Sequence, residues 1–298
     1  MSPGSRRLQA TQKYLDLPGA VRAPDRLPMK APWLLLALAL AACTSGDAST
    51  PADAGDLQPC TVLFGAPNDN TGLGADQCGP SCRCGGLDFT PPTYSAAFIQ
   101  SLLDDWILAT PYPPLTVSPY QSPAPAADPP ATVCAILPQG DAGATPRPYT
   151  LATYASQAAA QAASAKVTHF GHCGVCSTLA NLAVYMKNDD LTAPVRNCAL
   201  DPMTEVACLQ QLGFDLPCAQ AWAYDADNDR SVCEAICAPV LYQPYNTPDG
   251  SLNPCIQCDE DLSGPVFKGV AGRTRRNSGI PNAICRPCSE VQPLVHAY

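Results

Sequence analysis

The stretch KVTHFGHCGVCSTLANLAVYMK, residues 166–187, joins a short strand pattern to an amphipathic helix pattern through a turn rich in histidine and cysteine. Leu179, Leu182, Ala183 and Met186 recur at the three- and four-residue spacing of one helix face. The chain has only three histidines, and two of them lie in this turn. The segment is therefore the first candidate for both a structural centre and a functional site.

Helix patterns dominate the sequence on both sides of this stretch. Upstream, 94–109 has amphipathic spacing, and 149–165 is rich in alanine, the residue with the highest helix propensity. Downstream, the sequence predicts shorter helices over 202–212, 217–225 and 230–238. We therefore predict a mainly α fold of short, disulfide-stapled helices with a small, irregular Cys/Gly-rich N-terminal region.

Composition divides the chain into five segments. Residues 1–43 are expected to be a leader with a lipoprotein signal peptide, and 44–59 a flexible tether of small polar residues. Residues 60–90 are Cys/Gly-rich and have too few apolar side chains for a core, so crosslinks would have to replace burial there. Residues 91–148 are predicted to contain an amphipathic helix and a Pro-rich connection, and 149–298 a helical cysteine-rich domain.

A short apolar segment near the N-terminus indicates export. Met29–Cys43 has one lysine followed by an apolar run of about ten residues, whereas a membrane-spanning helix needs about 20. Leu40-Ala41-Ala42-Cys43 resembles the lipobox of bacterial lipoproteins. The resemblance implies that Cys43 is lipidated, that the membrane is a partner through this anchor, and that the protein is exported to the cell envelope, at the outer membrane or periplasmic face. Translation is then expected to start at Met29.

Cysteine content and charge limit the possible functions. The chain has 17 cysteines among 298 residues, which indicates an oxidising compartment or metal binding. Lipidation of Cys43 would leave sixteen, an even number, as complete pairing requires. From Cys43 onward there are 11 Lys and Arg against 24 Asp and Glu, a formal balance of −13. Because an acidic chain repels nucleic acid, we do not expect a general DNA- or RNA-binding role.

The turn HFGHCGVC supports a redox interpretation and a metal interpretation. Cys173-Gly174-Val175-Cys176 before a helix resembles the active-site turn of thioredoxin-like oxidoreductases, which would make Cys173 the attacking thiol and Cys176 the resolving one. Alternatively, His169, His172, Cys173 and Cys176 offer a ligand set for zinc or copper, with His296 able to replace one of them. The side chains of His172 and Cys173 diverge as neighbours, which argues against a site using all four.

Two further interpretations of the same turn remain open. The stretch is similar to the GxCGxC segment of papain-like proteases, which would make Cys176 the nucleophile and His296 the base. Phe170 stands where that family has its oxyanion-hole glutamine, and no residue supplies the orienting asparagine. The simpler interpretation is that Cys173 and Cys176 form structural disulfides to other segments and that the histidines are ordinary polar residues.

Other cysteines occur in closely spaced pairs. Cys255 and Cys258 together with Cys285 and Cys288 have a spacing that would suggest zinc in a cytosolic protein, but in an exported one we expect disulfides. Cysteines 233 and 237 are four residues apart and would lie on one helix face, where they could clamp a neighbouring helix.

A basic cluster near the C-terminus is a candidate anion site. Lys268, Arg273, Arg275 and Arg276 lie within nine positions of an otherwise acidic chain, and guanidinium groups suit carboxylates and other anions. The alternative is an internal charge match to the acidic stretch 259–261, and we favour it because opposite charges on one chain commonly pair.

An acidic stretch, DADND at 225–229, begins like the calcium loop of an EF-hand. Arg230 stands where the turn glycine belongs, and Ile236 replaces the closing glutamate, so half of the coordination sphere is missing. We therefore expect a solvated acidic turn that caps the following helix rather than a calcium site.

The segments FGHCGVCSTLANLAVYM, CIQCDEDLSGPVFKGVAGRTRRNSG and ICRPC together resemble uncharacterised cysteine-rich secreted proteins of microbes and algae, over about residues 150–298. This resemblance implies no particular activity. The sequence favours a membrane-anchored, extracytoplasmic, disulfide-rich binding or structural module with a candidate Cys/His site at 169–176. A thiol-disulfide oxidoreductase or a Zn- or Cu-binding protein is the alternative.

Overall fold

The computed structural model describes residues 61–298. The predicted leader, the lipobox at Cys43 and the tether lie outside the described residues. Of the described part, 36% is helical and 15% is strand, arranged in several sheets. The prediction of a mainly α fold is therefore wrong, because the protein has a mixed α/β fold.

The helices and strands are short throughout the described part. The helices are α1 Ala96–Asp104, α2 Gln157–Ala162, α3 Leu179–Lys187, α4 Thr192–Cys198, α5 Glu205–Gln211, α6 Leu216–Val232, α7 Glu234–Cys237, α8 Pro254–Leu262 and α9 Gly264–Ala271. The strands are β1 Leu63–Phe64, β2 Cys78–Gly79, β3 Cys82–Cys84, β4 Leu87–Phe89, β5 Trp106–Leu108, β6 Val133–Pro138, β7 Arg147–Tyr154, β8 Lys166–Phe170 and β9 Arg286–Pro287. Three-residue 3-10 turns occur at Pro119–Gln121, Arg276–Ser278 and Cys288–Glu290.

The main sheet has four strands in the order β5-β7-β6-β8. Strand β5 is parallel to β7, and the other neighbours are antiparallel. The central strand β6 lies within the predicted Pro-rich connection, and its first four residues, 133–136, are fully buried. Its run of apolar residues suits a strand that is covered on both faces.

The alanine-rich segment 149–165 explains much of the error in fold class. Its first six residues, 149–154, lie in β7, where Thr150, Thr153 and Tyr154 have the β-branched and aromatic side chains that favour strands. Only 157–162 is helical, and the side chain of Ser156 caps this helix by accepting from Ala159 N. Pairing with β6 and β5 over the whole of β7 outweighs the modest helix propensity of the alanines.

The strand-turn-helix prediction for 166–187 is confirmed. Strand β8 ends at Phe170, the turn follows, and α3 begins at Leu179 with Thr178 as its cap. Leu179 and Leu182 of α3 are fully buried in a core cluster that also contains residues of α5, α6 and α9. The turn is therefore fixed between the main sheet and the centre of the helical layer.

Disulfides connect distant segments across the described part. Seven have both partners in it, and Cys84 is disulfide-bonded as well. The seven are Cys78–Cys285, Cys82–Cys288, Cys134–Cys173, Cys176–Cys218, Cys198–Cys208, Cys233–Cys258 and Cys237–Cys255. The last two bond Cys233, between α6 and α7, and Cys237, in α7, to helix α8. The expected clamp on a neighbouring helix is therefore confirmed, but the two cysteines do not lie on one helix, because α6 ends at Val232 and α7 begins at Glu234. The four cysteines of the two C-x2-C pairs are all in disulfides, as expected of an exported protein.

The Cys/Gly-rich N-terminal region is integrated with the C-terminal segment. Strand β1 pairs with β9, and two disulfides join residues 78 and 82 to residues 285 and 288.

No helix within 61–298 combines the length and the apolar character that crossing a membrane requires.

Candidate functional site

The two cysteines of the HFGHCGVC turn are bonded to different distant partners. Cys173 is joined to Cys134 of strand β6, and Cys176 is joined to Cys218 of helix α6. The sequence separations are 39 and 42 residues. In this state neither sulfur is a thiolate, and the two do not form the shared disulfide of a CxxC redox site. The bridges fix the turn to the sheet on one side and to the helical layer on the other.

His169 is a buried structural residue in this arrangement. Its Nε2 lies 2.7 Å from Ser177 Oγ, and its Nδ1 lies 2.8 Å from the carbonyl oxygen of Phe170. Burial, helped by the positive charge of Arg273, holds the pKa of His169 well below its ordinary value. The imidazole is therefore neutral, with Nδ1 donating to the carbonyl and Nε2 accepting from the serine hydroxyl.

The other two histidines are also engaged. Partial burial lowers the pKa of His172, but the hydrogen bonds to Asp128 and to the Gly269 carbonyl outweigh it and raise the pKa overall. The distances are 2.6 Å from Nδ1 to Asp128 Oδ2 and 2.7 Å from Nε2 to Gly269 O. Burial lowers the pKa of His296 to about 3, and its Nε2 lies 2.8 Å from the Ser278 carbonyl.

The structure therefore does not bring the predicted metal ligands together as an open site. In each of the three histidines, both ring nitrogens lie within hydrogen-bond distance of a protein atom, and both cysteines are in disulfides. His296 bonds a backbone carbonyl rather than Cys176, so the pair required for a papain-like mechanism is not formed either. The arrangement of 169–176 matches a structural junction.

The four residues of the predicted anion site serve two internal purposes. Lys268 lies 3.0 Å and Arg276 2.6 Å from Glu260, and Arg286 lies 2.6 Å from the second oxygen of the same carboxylate. Burial raises the pKa of Glu260, but these three cations more than compensate and hold it at about 2. The charge match to the 259–261 stretch thus accounts for Lys268 and Arg276.

Arg273 and Arg275 are buried and bind backbone carbonyls. Arg273 is 0% exposed and donates to the carbonyls of Cys176, Thr168 and Ser177 at 2.8–3.1 Å. Burial lowers the pKa of both arginines to about 10. Arg273 therefore ties the HFGHCGVC turn to the segment after α9, and it offers no charge to an external anion.

Sequence reasoning missed another candidate site, a cavity of about 540 Å³ between helices α4, α6, α8 and α9. Its wall is largely apolar and includes Trp222 of α6, Tyr185 of α3 and Phe267 of α9. The Trp222 and Phe267 rings pack against each other with centroids 4.7 Å apart. We refer to this space as the α6 cavity.

Three carboxyl groups, the aspartate triad Asp225, Asp229 and Asp259, line one part of the α6 cavity. Their ligand atoms lie within 4.8 Å of one another, and no other set of three His, Cys, Asp or Glu side chains within 61–298 converges in this way. Asp225 and Asp229 lie one turn apart on α6, and Asp259 projects from α8.

The predicted acidic turn at 225–229 is wrong, because these residues lie inside helix α6. Asp215 caps this helix by accepting from Cys218 N at 3.1 Å, and Pro217 occupies its first turn. The helix then continues through the acidic residues to Val232. A helical backbone cannot adopt the EF-hand loop, so the carboxylates act as a cluster on one helix face instead.

Burial and mutual repulsion shape the charge of the triad. Burial, with added repulsion from neighbouring carboxylates, raises the pKa of Asp225 to about 8 and the pKa of Asp259 well above its ordinary range. Burial alone raises the pKa of Asp229, and its hydrogen bonds with Ser263 and Asp259 lower it. The Tyr120 hydroxyl lies 2.5 Å from Asp225 Oδ1, and Ser263 Oγ donates to Asp229 Oδ1. At neutral pH the triad therefore retains protons.

Comparisons with known proteins find a similarity over part of this region. Residues 203–294 match a family described as a family of unknown function (DUF8771), which spans about a third of the chain. The match includes α6, α8 and α9 with the aspartate triad, but not the HFGHCGVC turn. No curated protein and no solved structure matches the chain.

Proposed function

We propose that this chain is a lipid-anchored protein of the cell envelope that binds a small ligand in the α6 cavity. The many disulfides point to an oxidising, extracytoplasmic location. The observation that carries the binding proposal is the cavity itself, with apolar walls and a few convergent polar groups. Such a combination is typical of small-molecule sites, which measure about 300–1,000 Å³.

The polar groups of the cavity favour a ligand-binding site over a void left by imperfect packing. An empty cavity left by imperfect packing is normally apolar, because buried polar groups without partners are costly. This one contains the aspartate triad, the Tyr185 hydroxyl and the Trp222 indole. Neither Tyr185 Oη nor Trp222 Nε1 has a hydrogen bond of standard geometry in the structure.

The scaffold around the cavity is held by covalent links. Cys233–Cys258 and Cys237–Cys255 join α6 and α7 to α8, and Cys176–Cys218 joins the start of α6 to the HFGHCGVC turn. A site held open before binding needs little reordering when the ligand enters, which favours affinity. In this proposal the Cys/His turn is part of the support and not the binding site.

The anchor is supported by the sequence alone, through the apolar segment and the lipobox ending at Cys43. A lipid on this residue would hold the binding domain at the membrane through the 44–59 tether. The test is expression in a bacterial host with intact mass measurement and fractionation. We expect the protein to carry the mass of a lipid and to be found in the membrane fraction. Cys43→Ser should abolish both the lipid mass and the membrane location. An unlipidated wild-type protein would refute the anchor.

Binding is tested with a neutral, environment-sensitive probe, N-phenyl-1-naphthylamine, added to the full-length protein made in an oxidising compartment. We expect saturable fluorescence enhancement that Ala226→Phe abolishes, because Ala226 lines the cavity and the added ring would fill it. Ala207→Phe is the matched control on the exposed face of α5. Equal probe binding by both variants, or no binding by the wild type, would refute the cavity as a binding site.

A further inference from the structure

Arg196 of helix α4 lines the α6 cavity and has no carboxylate partner within 4.0 Å among the described residues. Its Nη1 donates to Leu241 O at 2.9 Å, and its Nη2 has only the weakly accepting Cys255 Sγ at 4.0 Å. The guanidinium also faces the Tyr245 ring, 5.6 Å from its centroid. Charged groups that are partly buried are normally paired, so this arginine indicates a missing anion.

The other basic side chains of the wall differ from Arg196 in having carboxylate partners, with one exception. Lys268, Arg276 and Arg286 share Glu260, and Arg230 pairs with Glu205 and Asp227. The exception is Arg275, which is buried and donates to the carbonyl oxygens of Asn188 and Pro281. A carbonyl oxygen carries only a partial charge, so Arg275 adds positive potential to the cavity.

The aspartate triad does not oppose an anion at neutral pH. Asp225 and Asp259 retain protons there, because burial and neighbouring carboxylates raise their pKa values. Asp229 is hydrogen-bonded to Ser263 and Asp259. Asp229 and Asp259 act on Arg196 only by attraction through space, without an ion pair. The triad therefore leaves the charge of Arg196 available to a ligand.

The cavity opens to solvent near Arg196. Leu200, four residues further along the chain, lines the cavity and is 72% exposed, and Ala238 is a second exposed residue of the wall. The apolar part of the wall includes the buried Phe267 and Trp222, which packs on it. A ligand with its charge at Arg196 would keep that charge close to water and bury an apolar body.

We infer that the α6 cavity binds an apolar monocarboxylate, whose carboxylate group pairs with Arg196 and whose hydrocarbon body packs against Trp222 and Phe267. The planar guanidinium group matches a carboxylate through two parallel hydrogen bonds. This inference rests on the proposed ligand-binding function and specifies its ligand class.

Ionisation of the triad then weakens carboxylate binding. As the pH rises through about 8, Asp225 loses its proton and adds negative charge to the wall, so affinity falls. The charged and titratable groups that act on the triad are Tyr120, Arg196, Arg230, Glu260, Lys268 and Arg286. Between pH 6.5 and 9, burial keeps the Tyr120 hydroxyl neutral and the surrounding cations keep Glu260 ionised, so the triad is the source of the dependence.

The test is isothermal titration of the full-length, disulfide-bonded protein with octanoate at pH 7. The ligands 1-octanol and octylammonium have the same chain with a neutral and a positive head group. We expect octanoate to bind at least about tenfold more tightly than 1-octanol, and octylammonium to bind more weakly than 1-octanol. From pH 6.5 to 9, octanoate affinity should fall at least about threefold, and 1-octanol affinity should stay within about twofold.

Variants separate the charge of Arg196 from the fold. Arg196→Gln keeps a donor for the Leu241 carbonyl; it should weaken octanoate at least about tenfold and leave 1-octanol within about twofold. Lys187→Gln removes the same charge at the exposed end of α3 and should leave both ligands within about twofold. Asp225→Asn cannot ionise, so it should flatten the fall in octanoate affinity with pH.

The possible outcomes distinguish the two proposals. Octanoate that binds no more tightly than 1-octanol or octylammonium, or that Arg196→Gln does not weaken, would overturn the monocarboxylate inference and leave the ligand-binding function intact. Binding of N-phenyl-1-naphthylamine without octanoate would do the same. No binding of any probe would overturn both proposals. If Arg196→Gln loses 1-octanol as well, the three-ligand comparison in the wild type and the pH profile of Asp225→Asn decide.

Discussion

Replacing the carboxylate of Glu260 should cost much of the stability of the domain at neutral pH. This side chain, 21% exposed, is the common partner of Lys268, Arg276 and Arg286. Its pKa falls from an ordinary 4.5 to about 2 in the folded protein. Each factor of ten in proton affinity is worth about 1.4 kcal/mol, so the ionised carboxylate contributes about 3 kcal/mol at pH 7.

Glu260→Gln keeps the shape of the side chain and removes the charge. We expect the free energy of unfolding to fall by about 3 kcal/mol at pH 7, measured by urea denaturation with the disulfides intact. Because the folded pKa is lowered, the contribution is complete above about pH 5 and disappears as the pH falls towards 2. The difference between wild type and variant should therefore shrink over that interval.

The control for this experiment is Glu234→Gln, an exposed glutamate outside the Glu260 ion-pair network. It should change stability by less than about 0.5 kcal/mol. A loss in Glu260→Gln that is the same at pH 3 and pH 7 would show that shape and not charge is responsible. A loss below about 1 kcal/mol at pH 7 would refute the argument that Glu260 organises the three cations.

Three further predictions concern the disulfide, the triad and the turn. Replacing Cys176 and Cys218 together by alanine should lower the free energy of unfolding by about 4 kcal/mol, the loop-closure value for 42 residues, and a loss under about 1 kcal/mol in urea denaturation would contradict it. Asp225→Asn should stabilise the protein by roughly 5 kcal/mol at pH 8 and hardly at all at pH 4, because the raised folded pKa makes ionisation costly between those values; a gain independent of pH would be the wrong result. The pKa of His172 is raised in the folded protein, so its protonated ring adds to the free energy of unfolding below its ordinary pKa. This contribution is lost as the pH rises through the folded pKa. Asp128→Asn should remove this pH-dependent contribution to stability, which thermal unfolding at several pH values measures. If the melting temperature of that variant still changed with pH as in the wild type, the His172–Asp128 pair would be excluded as the source.

Local sequence patterns were sufficient for elements whose own residues settle their structure. The β-branched and aromatic residues of KVTHF and the apolar spacing after Thr178 predicted β8 and α3. The four-residue step from Cys233 to Cys237 predicted that both would clamp a neighbouring helix, and both are bonded to α8. In each case the interaction depends on positions a few residues apart in the sequence.

The same patterns failed where a distant strand decided the outcome. Residues 149–154 have alanine-rich neighbours, but all six of them pair with β6, and the start of β7 pairs with β5. Helix propensities differ by less than about 1 kcal/mol for most residues, which is too little to outweigh such a set of backbone hydrogen bonds and the burial that accompanies it. The expectation of an acidic turn at 225–229 failed in a similar way, because the cap at Asp215 starts a helix that runs through it.

The sequence by itself determined the chemical inventory of this protein: abundant cysteine, an acidic chain and one turn with clustered histidine and cysteine. Only the tertiary structure decided how this inventory is used. It gives Cys173 and Cys176 separate distant partners, assigns Lys268 and Arg276 to Glu260, and brings Asp259 to Asp225 across about thirty residues of chain. The physical reason is that a cavity or an ion pair between helices depends on how the helices pack, and that packing is a property of all of them together.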